Sequence, residues 1–420
     1  LIADENALLK LDGLLDLTDQ KFPVLNLAAK IKDVQLDKLN LAPKLEASYL
    51  SLNINADLIG STVDNVQGYI SIDSLEFYKQ REEFKLNNLL VKASGLFENK
   101  DRKVEISSDL LNGYVMGESK FMTLTKNFEK TIALYLPALF VDDNKKSKKV
   151  DNNNIEYHFE IANTEQLSSR LNLPVTIYKP AVIDGFYNGD TDKLKIEVEA
   201  PFIKAGGMKI HSAHVLASNK GDAIQATVKA DIEGKNNELS NVVLESYAQN
   251  DAVSSTISLE NNSERKAKGE FALVTKFENL GKKRGLKIEV GINESKLLLN
   301  NQNWQMEESM VTLSPDLIEV DNFSFHTVDK KQELRIDGKY SKHNPSRILK
   351  TELSKIDLSY VFETLAIDAL KFGGYASGDV YLSSIEEKPY ANTQLDVEDF
   401  QFNYTHLGQL SLFSELDEKR

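Results

Sequence analysis

Residues 50–58 read LSLNINADL, and apolar and polar residues alternate through this stretch without a break. Leu50, Leu52, Ile54, Ala56 and Leu58 share one parity, whereas serine, asparagine and aspartate fill the positions between them. Because successive side chains of an extended chain point to opposite faces, the stretch predicts a strand with one apolar and one polar face.

The same alternation returns along most of the chain, between turns rich in Asn, Asp, Gly and Lys. Its clearest further examples are residues 66–72, 194–200, 224–232, 271–277 and 286–292. So many one-sided strands predict an all-β fold with a few short helices, built as an elongated, repetitive antiparallel sheet. Another sheet, a helix or a ligand must cover the apolar face of such a sheet.

A chain of 420 residues ordinarily forms two or three domains. The uniform alternation favours one continuous elongated domain instead. We expect strand repeats in 1–124, 176–356 and 373–420, an insertion of helix, polar loop and short helix in 125–175, and a short helix in 357–372.

Three segments break the strand pattern. The first predicts a helix over 125–140, with Asn127 as its cap and Pro137 ending its regular part. The second predicts a short helix over 164–171, and the third a helix over 358–370. The polar segment 142–154 is typical of a loop, and we interpret the lysines within 145–149 as solvated.

A weak internal repeat is also present. Residues 72–77, 320–325 and 397–402 share the order apolar, acidic, any residue, apolar, any residue, phenylalanine. The first and third copies begin 41 residues after Ile31 and Ile356. This similarity favours like units stacked along an axis, and chance likeness between β-strands is the alternative.

Composition narrows the classes of function. With 64 acidic against 50 basic residues the net charge is −14, which argues against a nucleic-acid partner. The absence of cysteine excludes disulfides and thiolate metal sites, and it fits an oxidising compartment. The chain begins at Leu1 inside the strand pattern, without a signal peptide or spanning segment, so we expect an internal piece of a longer protein.

Motifs of catalysis are missing from the sequence. It contains no Gly-x-Ser-x-Gly elbow, no His-Glu-x-x-His and no phosphate-binding loop, so we predict neither an enzyme nor a cofactor site. His211 and His214 are three apart, which on a strand points them to opposite faces and makes a shared metal site unexpected. We interpret both as solvated strand residues, and Trp304 as a packing residue.

Several stretches resemble one family. They are residues 182–190 (VIDGFYNGD) after a short helix ending in NLP at 172–174, residues 314–325 (SPDLIEVDNFSF) with 332–338 (QELRIDG), and residues 360–365 (YVFETL) with 372–378 (FGGYASG). They are similar to TamB-like proteins of Bacteroidetes, within the AsmA-like superfamily. The resemblance covers most of the chain and rests on pattern more than on an invariant motif.

The resemblance implies a periplasmic protein, anchored in the inner membrane by an N-terminal helix, whose strands curl into a U-shaped, taco-like sheet with an apolar concave side. It also implies movement of phospholipid between the inner and outer membranes, or assembly of outer-membrane proteins beside a β-barrel partner. Neither the N-terminal anchor nor the C-terminal domain of such proteins lies within this sequence.

In such a fold the apolar parity lines a groove for acyl chains. The candidate groove residues are Leu50, Leu52, Ile54, Leu58, Ile70, Ile72, Ile196, Val198, Ile224, Val228, Phe271, Leu273, Leu286, Ile288 and Val290. Two alternatives stay open: a surface or periplasmic binding or adhesion module with a closed core, and a cradle that pairs with strands of outer-membrane proteins.

Overall fold

The computed structural model describes residues 2–4, 7–41, 48–79, 82–95, 102–140, 153–234, 238–261, 263–264, 266–281, 285–360, 371–385 and 387–417. About 70% of the residues are strand and 7% are helical. The prediction of a repetitive, antiparallel all-β fold with a few short helices is therefore confirmed.

The first half of the described chain contains thirteen strands. They are β1 (Ile2–Asp4), β2 (Ala7–Asp16), β3 (Val24–Gln35), β4 (Ser48–Ile59), β5 (Gln67–Lys79), β6 (Glu82–Ser94), β7 (Lys103–Ser108), β8 (Leu111–Glu118), β9 (Asn154–Ile161), β10 (Val175–Ile177), β11 (Ala181–Asn188), β12 (Lys193–Ala205) and β13 (Met208–Lys220). Helix α1 (Phe121–Ala133), a 3₁₀ turn (Pro137–Leu139) and helix α2 (Glu165–Leu171) interrupt them.

Fourteen further strands follow. They are β14 (Ala223–Glu233), β15 (Leu239–Gln249), β16 (Ala252–Asn261), β17 (Lys268–Asn279), β18 (Leu286–Ile292), β19 (Ser295–Leu299), β20 (Gln302–Met306), β21 (Ser309–Ser314), β22 (Leu317–Thr327), β23 (Glu333–Ser341), β24 (Leu349–Asp357), β25 (Phe372–Ile385), β26 (Lys388–Phe402) and β27 (Thr405–Asp417).

The chain divides into two compact units: unit 1 is 1–131 with 144–219, and unit 2 is 132–143 with 220–420. In unit 1 each strand pairs antiparallel with the next from β1 to β9. The order continues through β11, β12 and β13. Strand β10 pairs with the end of β12 that β11 leaves free. A two-residue turn at Gly206-Gly207, both with positive φ, joins β12 to β13.

In unit 2 the strands from β14 to β17 are also consecutive antiparallel neighbours. Strand β17 then pairs with β18 along one part and with β19 along the other, and β22 pairs in the same divided way with β21 and β20. From β22 to β27 each strand again pairs with the next.

The repeated sequence motif forms a β-bulge. In all three copies its third residue has positive φ, namely Ser74, Asn322 and Asp399. At each copy two residues lie opposite one on a neighbouring strand. Because this extra residue shifts the alternation, apolar residues three apart return to the same face. Bulges of the same kind occur at Asp33 in β3 and Lys355 in β24.

The first predicted helix differs from the structure in its bounds and in its cap. Helix α1 begins at Phe121 and ends at Ala133, so Asn127 lies inside the helix and is not its cap. The side chain of Asn153, from the other side of the loop, instead accepts a hydrogen bond from the Lys120 N–H at the start of the helix. The predicted insertion 125–175 also contains strand β9, which sequence alone did not predict.

The other helix predictions have different outcomes. Helix α2 is confirmed, with Thr164 at its N-cap position and Asn172 in the left-handed conformation at its end. Of the third predicted helix, residues 358–360 are helical, and 361–370 lie outside the described residues, as does most of the predicted loop 142–154. No helix in the described ranges combines the length and the apolar character needed to cross a membrane.

Candidate functional site

Apolar residues of successive strands lie directly opposite one another in unit 1. Paired residues on neighbouring strands share a face, so the pairing can be followed from strand to strand. One row runs Leu25, Leu58, Gly68, Ala93, Val104, Val115, Tyr157, Gly185, Ile196 and Ala217. The row beside it runs Leu27, Ala56, Ile70, Val91, Ile106, Gly113, Phe159, Ile183, Val198 and Val215. Unit 1 therefore has one continuous apolar face.

Unit 2 repeats this arrangement. One row runs Ile224, Ala248, Val253, Thr275, Val290, Val311, Val320, Gly338, Leu349, Leu382 and Ala391. A shorter row joins Val228, Leu244, Ile257 and Phe271. Thr275 is the single hydroxyl-bearing member of these two rows, and a row between them pairs Ser246 with Ser255, whose hydroxyls lie 2.9 Å apart. The face of unit 2 is therefore predominantly, though not wholly, apolar.

The structure places the fifteen candidate groove residues on these faces. Leu58 and Ile196 belong to one row of unit 1, and Ile224 and Val290 belong to one row of unit 2. Leu52 is buried, Ile70 is 37% exposed, and the other thirteen are half-buried. Half-burial along a whole face differs from the core of a closed β-sandwich, in which inward side chains are covered by a second sheet.

The opposite face carries ion pairs. Lys195 Nζ lies 2.7 Å from Glu197, Lys287 Nζ lies 2.7 Å from Glu289, and Lys339 Nζ lies 2.7 Å from Glu319. These side chains are partly exposed, so each pair contributes little to stability. Their effect is to keep this face in water, which leaves the apolar face as the surface for an apolar ligand.

Helix α1 covers one end of the apolar face in unit 1. Its Leu124 and Phe128 pack against Ile155, Tyr187 and Leu194. The Tyr187 hydroxyl donates to the Asn127 carbonyl oxygen at 2.9 Å and lies 2.9 Å from the Thr131 hydroxyl. Burial raises the pKa of Tyr187, so the phenol stays protonated and holds the helix as a neutral donor.

Helix α2 and the 3₁₀ turn cover other parts of the faces. Leu167 of α2 packs against the cluster of Phe77, Phe84 and Leu86 in unit 1. In unit 2, Tyr135 and Leu136 pack against Ala248, with Ile224, Val253 and Phe277 around them. These contacts close local portions of the faces and leave the rows between them half-exposed.

Apolar clusters in the described chain do not join two sheets face to face. Each of the four combines neighbouring strands with a turn or a helical segment. Trp304 also packs against a neighbouring strand of the same sheet. It is buried on β20 and stacks on Phe325 of the adjacent β22, with ring centroids 4.7 Å apart. This geometry agrees with the packing role predicted for Trp304.

A partly open pocket lies on the apolar face of unit 1, and no sequence pattern predicted it. Its volume is about 320 Å³, and the strand residues that line it include Leu58, Ile70, Val91 and Ala93. Residues of the loop 60–66, called the roof below, line its other side and leave the pocket open to solvent. Arg102 fixes that loop: its guanidinium donates to the carbonyl oxygens of Asp64 and Val63 at 2.5 and 2.8 Å. The contact links residues 38 and 39 apart in sequence, so no local pattern signals it.

The histidines 211 and 214 lie on opposite faces, as predicted. His211 is not simply solvated, because it stacks on Phe202 with ring centroids 4.5 Å apart. His214 pairs with Glu199 across the strands, and its Nε2 lies 3.0 Å from Glu197. These three side chains of the polar face could reach one metal ion, but the Lys195 ammonium already neutralises Glu197.

The fold and this face define an all-β protein that carries a continuous, half-exposed apolar face on each of its two units. Comparison with protein-family models, with curated proteins and with solved structures finds no match to the chain.

Proposed function

We propose that this chain is the periplasmic segment of a bridge-like protein that conducts phospholipid between inner and outer membranes, as its resemblance to TamB-like proteins implies. The observation that supports the proposal is the pairing of predominantly apolar residues in rows across successive strands of each unit, partly exposed where no helical segment covers them. A row of this kind offers an acyl chain hydrocarbon contact on successive strands.

Energetics favour this use of the face. Each methylene kept from water contributes about 0.8 kcal/mol, so an acyl chain that leaves a bilayer is held back by a large hydration term. Apolar side chains on successive strands reduce that term along the face. The charged head group stays in water at the margin of the face.

The β-bulges of both units favour a curved sheet. Those at Asp33, Ser74, Asn322, Lys355 and Asp399 insert one residue each into their strands, and such insertions bend a strand and increase its twist. A sheet bent about its apolar face wraps an acyl chain more fully than a flat one. Attachment to the inner membrane and a β-barrel partner at the outer membrane belong to the same proposal.

Lipid analysis of the purified chain tests the proposal. Solvent extraction followed by mass spectrometry should find phospholipid bound to the protein, and the chain should accelerate transfer of fluorescent phospholipid between donor and acceptor vesicles. A reproducibly lipid-free preparation that neither takes up nor transfers phospholipid would refute it. That outcome would favour the binding or adhesion module as the alternative.

A further inference from the structure

The loop 60–66 and the neighbouring strands line a partly open pocket on the apolar face of unit 1. Leu58, Gly68 and Ala93 are paired across β4, β5 and β6, and Ile70 pairs with Val91 beside them. Gly68 has no side chain, so the row has a hollow between Leu58 and Ala93. An added Cβ at Gly68 would clash with the Asp57 carbonyl oxygen, so the strand geometry itself maintains the hollow.

The roof is a fixed structure. Asn65 Oδ1 accepts hydrogen bonds from the N–H groups of Ser61 and Thr62, both at 2.9 Å, and the amide of Asn65 donates to the Lys21 carbonyl oxygen. Arg102 adds the two hydrogen bonds to Val63 and Asp64, and its side chain is only 1% exposed. Burial of the Arg102 guanidinium costs free energy, and its hydrogen bonds to Val63 and Asp64 offset part of that cost. The same hydrogen bonds hold the roof in place.

Polar groups on the pocket wall already have partners. The Ser61 hydroxyl donates to the Lys21 carbonyl oxygen at 3.2 Å, and the Thr62 hydroxyl donates to Asn65 at 3.1 Å. The remaining lining residues are glycine, alanine, valine, leucine and isoleucine. The wall therefore offers a ligand contact with hydrocarbon and no unsatisfied group that would recognise a sugar, a base or a phosphate.

We infer that this pocket binds a single unbranched alkyl chain, and so forms a holding site on the face along which phospholipid is proposed to move. The inference rests on the proposed function for its biological ligand, but the binding itself does not require transport. A methylene occupies about 27 Å³ at the packing density of protein interiors, so the pocket volume of about 320 Å³ equals that of about 12 methylenes.

Binding of laurate, a 12-carbon fatty acid, to the full chain tests the inference, with calorimetry to give affinity and stoichiometry. Ala93→Phe fills the hollow and should weaken laurate binding about tenfold or more, the equivalent of two lost methylene contacts. The matched control is Ala28→Phe, because Ala28 pairs with Asn55 on the polar face of unit 1 and is exposed. It should leave the affinity unchanged.

A second variant keeps the test valid if Ala93→Phe does not fold. Val63 is an exposed residue of the roof, so Val63→Asp should fold normally and still weaken laurate binding by placing a charge at the pocket. The inference is overturned if the wild-type chain does not bind laurate saturably, or if folded Ala93→Phe, Val63→Asp and Ala28→Phe all keep wild-type affinity. It is equally overturned if Ala28→Phe weakens binding as much as the pocket variants.

Phospholipid transfer is measured on the same proteins. Saturable laurate binding that the pocket variants abolish, in a chain that transfers no phospholipid, supports the pocket and refutes conduction. Transfer by the wild type without saturable laurate binding supports conduction and refutes the pocket.

Discussion

The imidazole of His326 is buried against Glu307 in unit 2, with its Nε2 2.9 Å from a carboxylate oxygen. Its Nδ1 lies 2.9 Å from the carbonyl oxygen of Thr327. Both ring nitrogens therefore face acceptors, and only the protonated imidazolium can donate to the two at once.

This arrangement predicts a loss of stability at alkaline pH. The Thr327 carbonyl, followed by Glu307, raises the pKa of His326, whereas burial and Lys330 act in the opposite direction. A raised pKa stabilises the fold fully below the ordinary histidine pKa of about 6.5, and this contribution is lost as pH rises through the folded-state pKa. Urea unfolding at about pH 6 and pH 9 should show a lower free energy of unfolding at the higher pH.

His326→Gln should remove this histidine-dependent part of the pH profile. The exposed His406 supplies the control, and His406→Gln should keep the wild-type difference between the two pH values. Trp304 is the chain's only tryptophan and lies in unit 2 with His326, so its fluorescence follows the relevant unfolding. An unaltered pH profile in His326→Gln would contradict the argument.

The bulge at Asn322 predicts a sharp dependence on residue type. Its φ of 52° lies in the left-handed region, and its N–H donates to Asp337 on the neighbouring strand at 3.1 Å. A β-branched residue is strained there, so Asn322→Val should lower the free energy of unfolding by about 1–2 kcal/mol, whereas Asn322→Gly should not add this strain. Equal stability of the two variants, measured by urea unfolding, would argue against a conformational role.

Docking of helix α1 depends on the Tyr187 hydroxyl. Tyr187→Phe removes the hydrogen bonds of the phenol to the Asn127 carbonyl and the Thr131 hydroxyl, so we expect a loss of about 0.5–1.5 kcal/mol in stability. The control is Tyr69→Phe, because Tyr69 is exposed and should change stability by less than about 0.5 kcal/mol. Hydrogen exchange should also speed up in α1 of Tyr187→Phe alone; protection equal to wild type would show that the helix docks without this bond.

Charge on the apolar face should block phospholipid transfer. Val228 and Gln225 lie three apart on β14 and point to opposite faces. Val228→Glu places a carboxylate in an apolar row and should reduce the transfer rate about tenfold or more, since a charge beside an acyl chain is poorly solvated. Gln225→Glu changes the net charge equally and should preserve transfer. Equal rates in the two variants, both folded by circular dichroism, would count against conduction along this face.

The strands are predictable from the sequence because the alternation of side chains is a local property. Features that depend on a remote contact are not predictable in this way. The start of α1 is stabilised by Asn153, which lies 33 residues from Lys120, and the local spacing instead favoured a cap at Asn127. The sequence shows that the motif repeats, but only the positive φ of its third residue in the structure shows that each copy is a bulge.

The sequence by itself determined which residues share a face within each strand, because backbone stereochemistry turns successive side chains to opposite sides. Only the tertiary structure decided which strands are neighbours and in what register, and so that Leu58 and Ile196 belong to one row. It alone brought Arg102 to the carbonyl of Val63 and thereby roofed the pocket. Register and remote contacts follow from the pairing and packing of segments far apart in the chain, which no local pattern encodes.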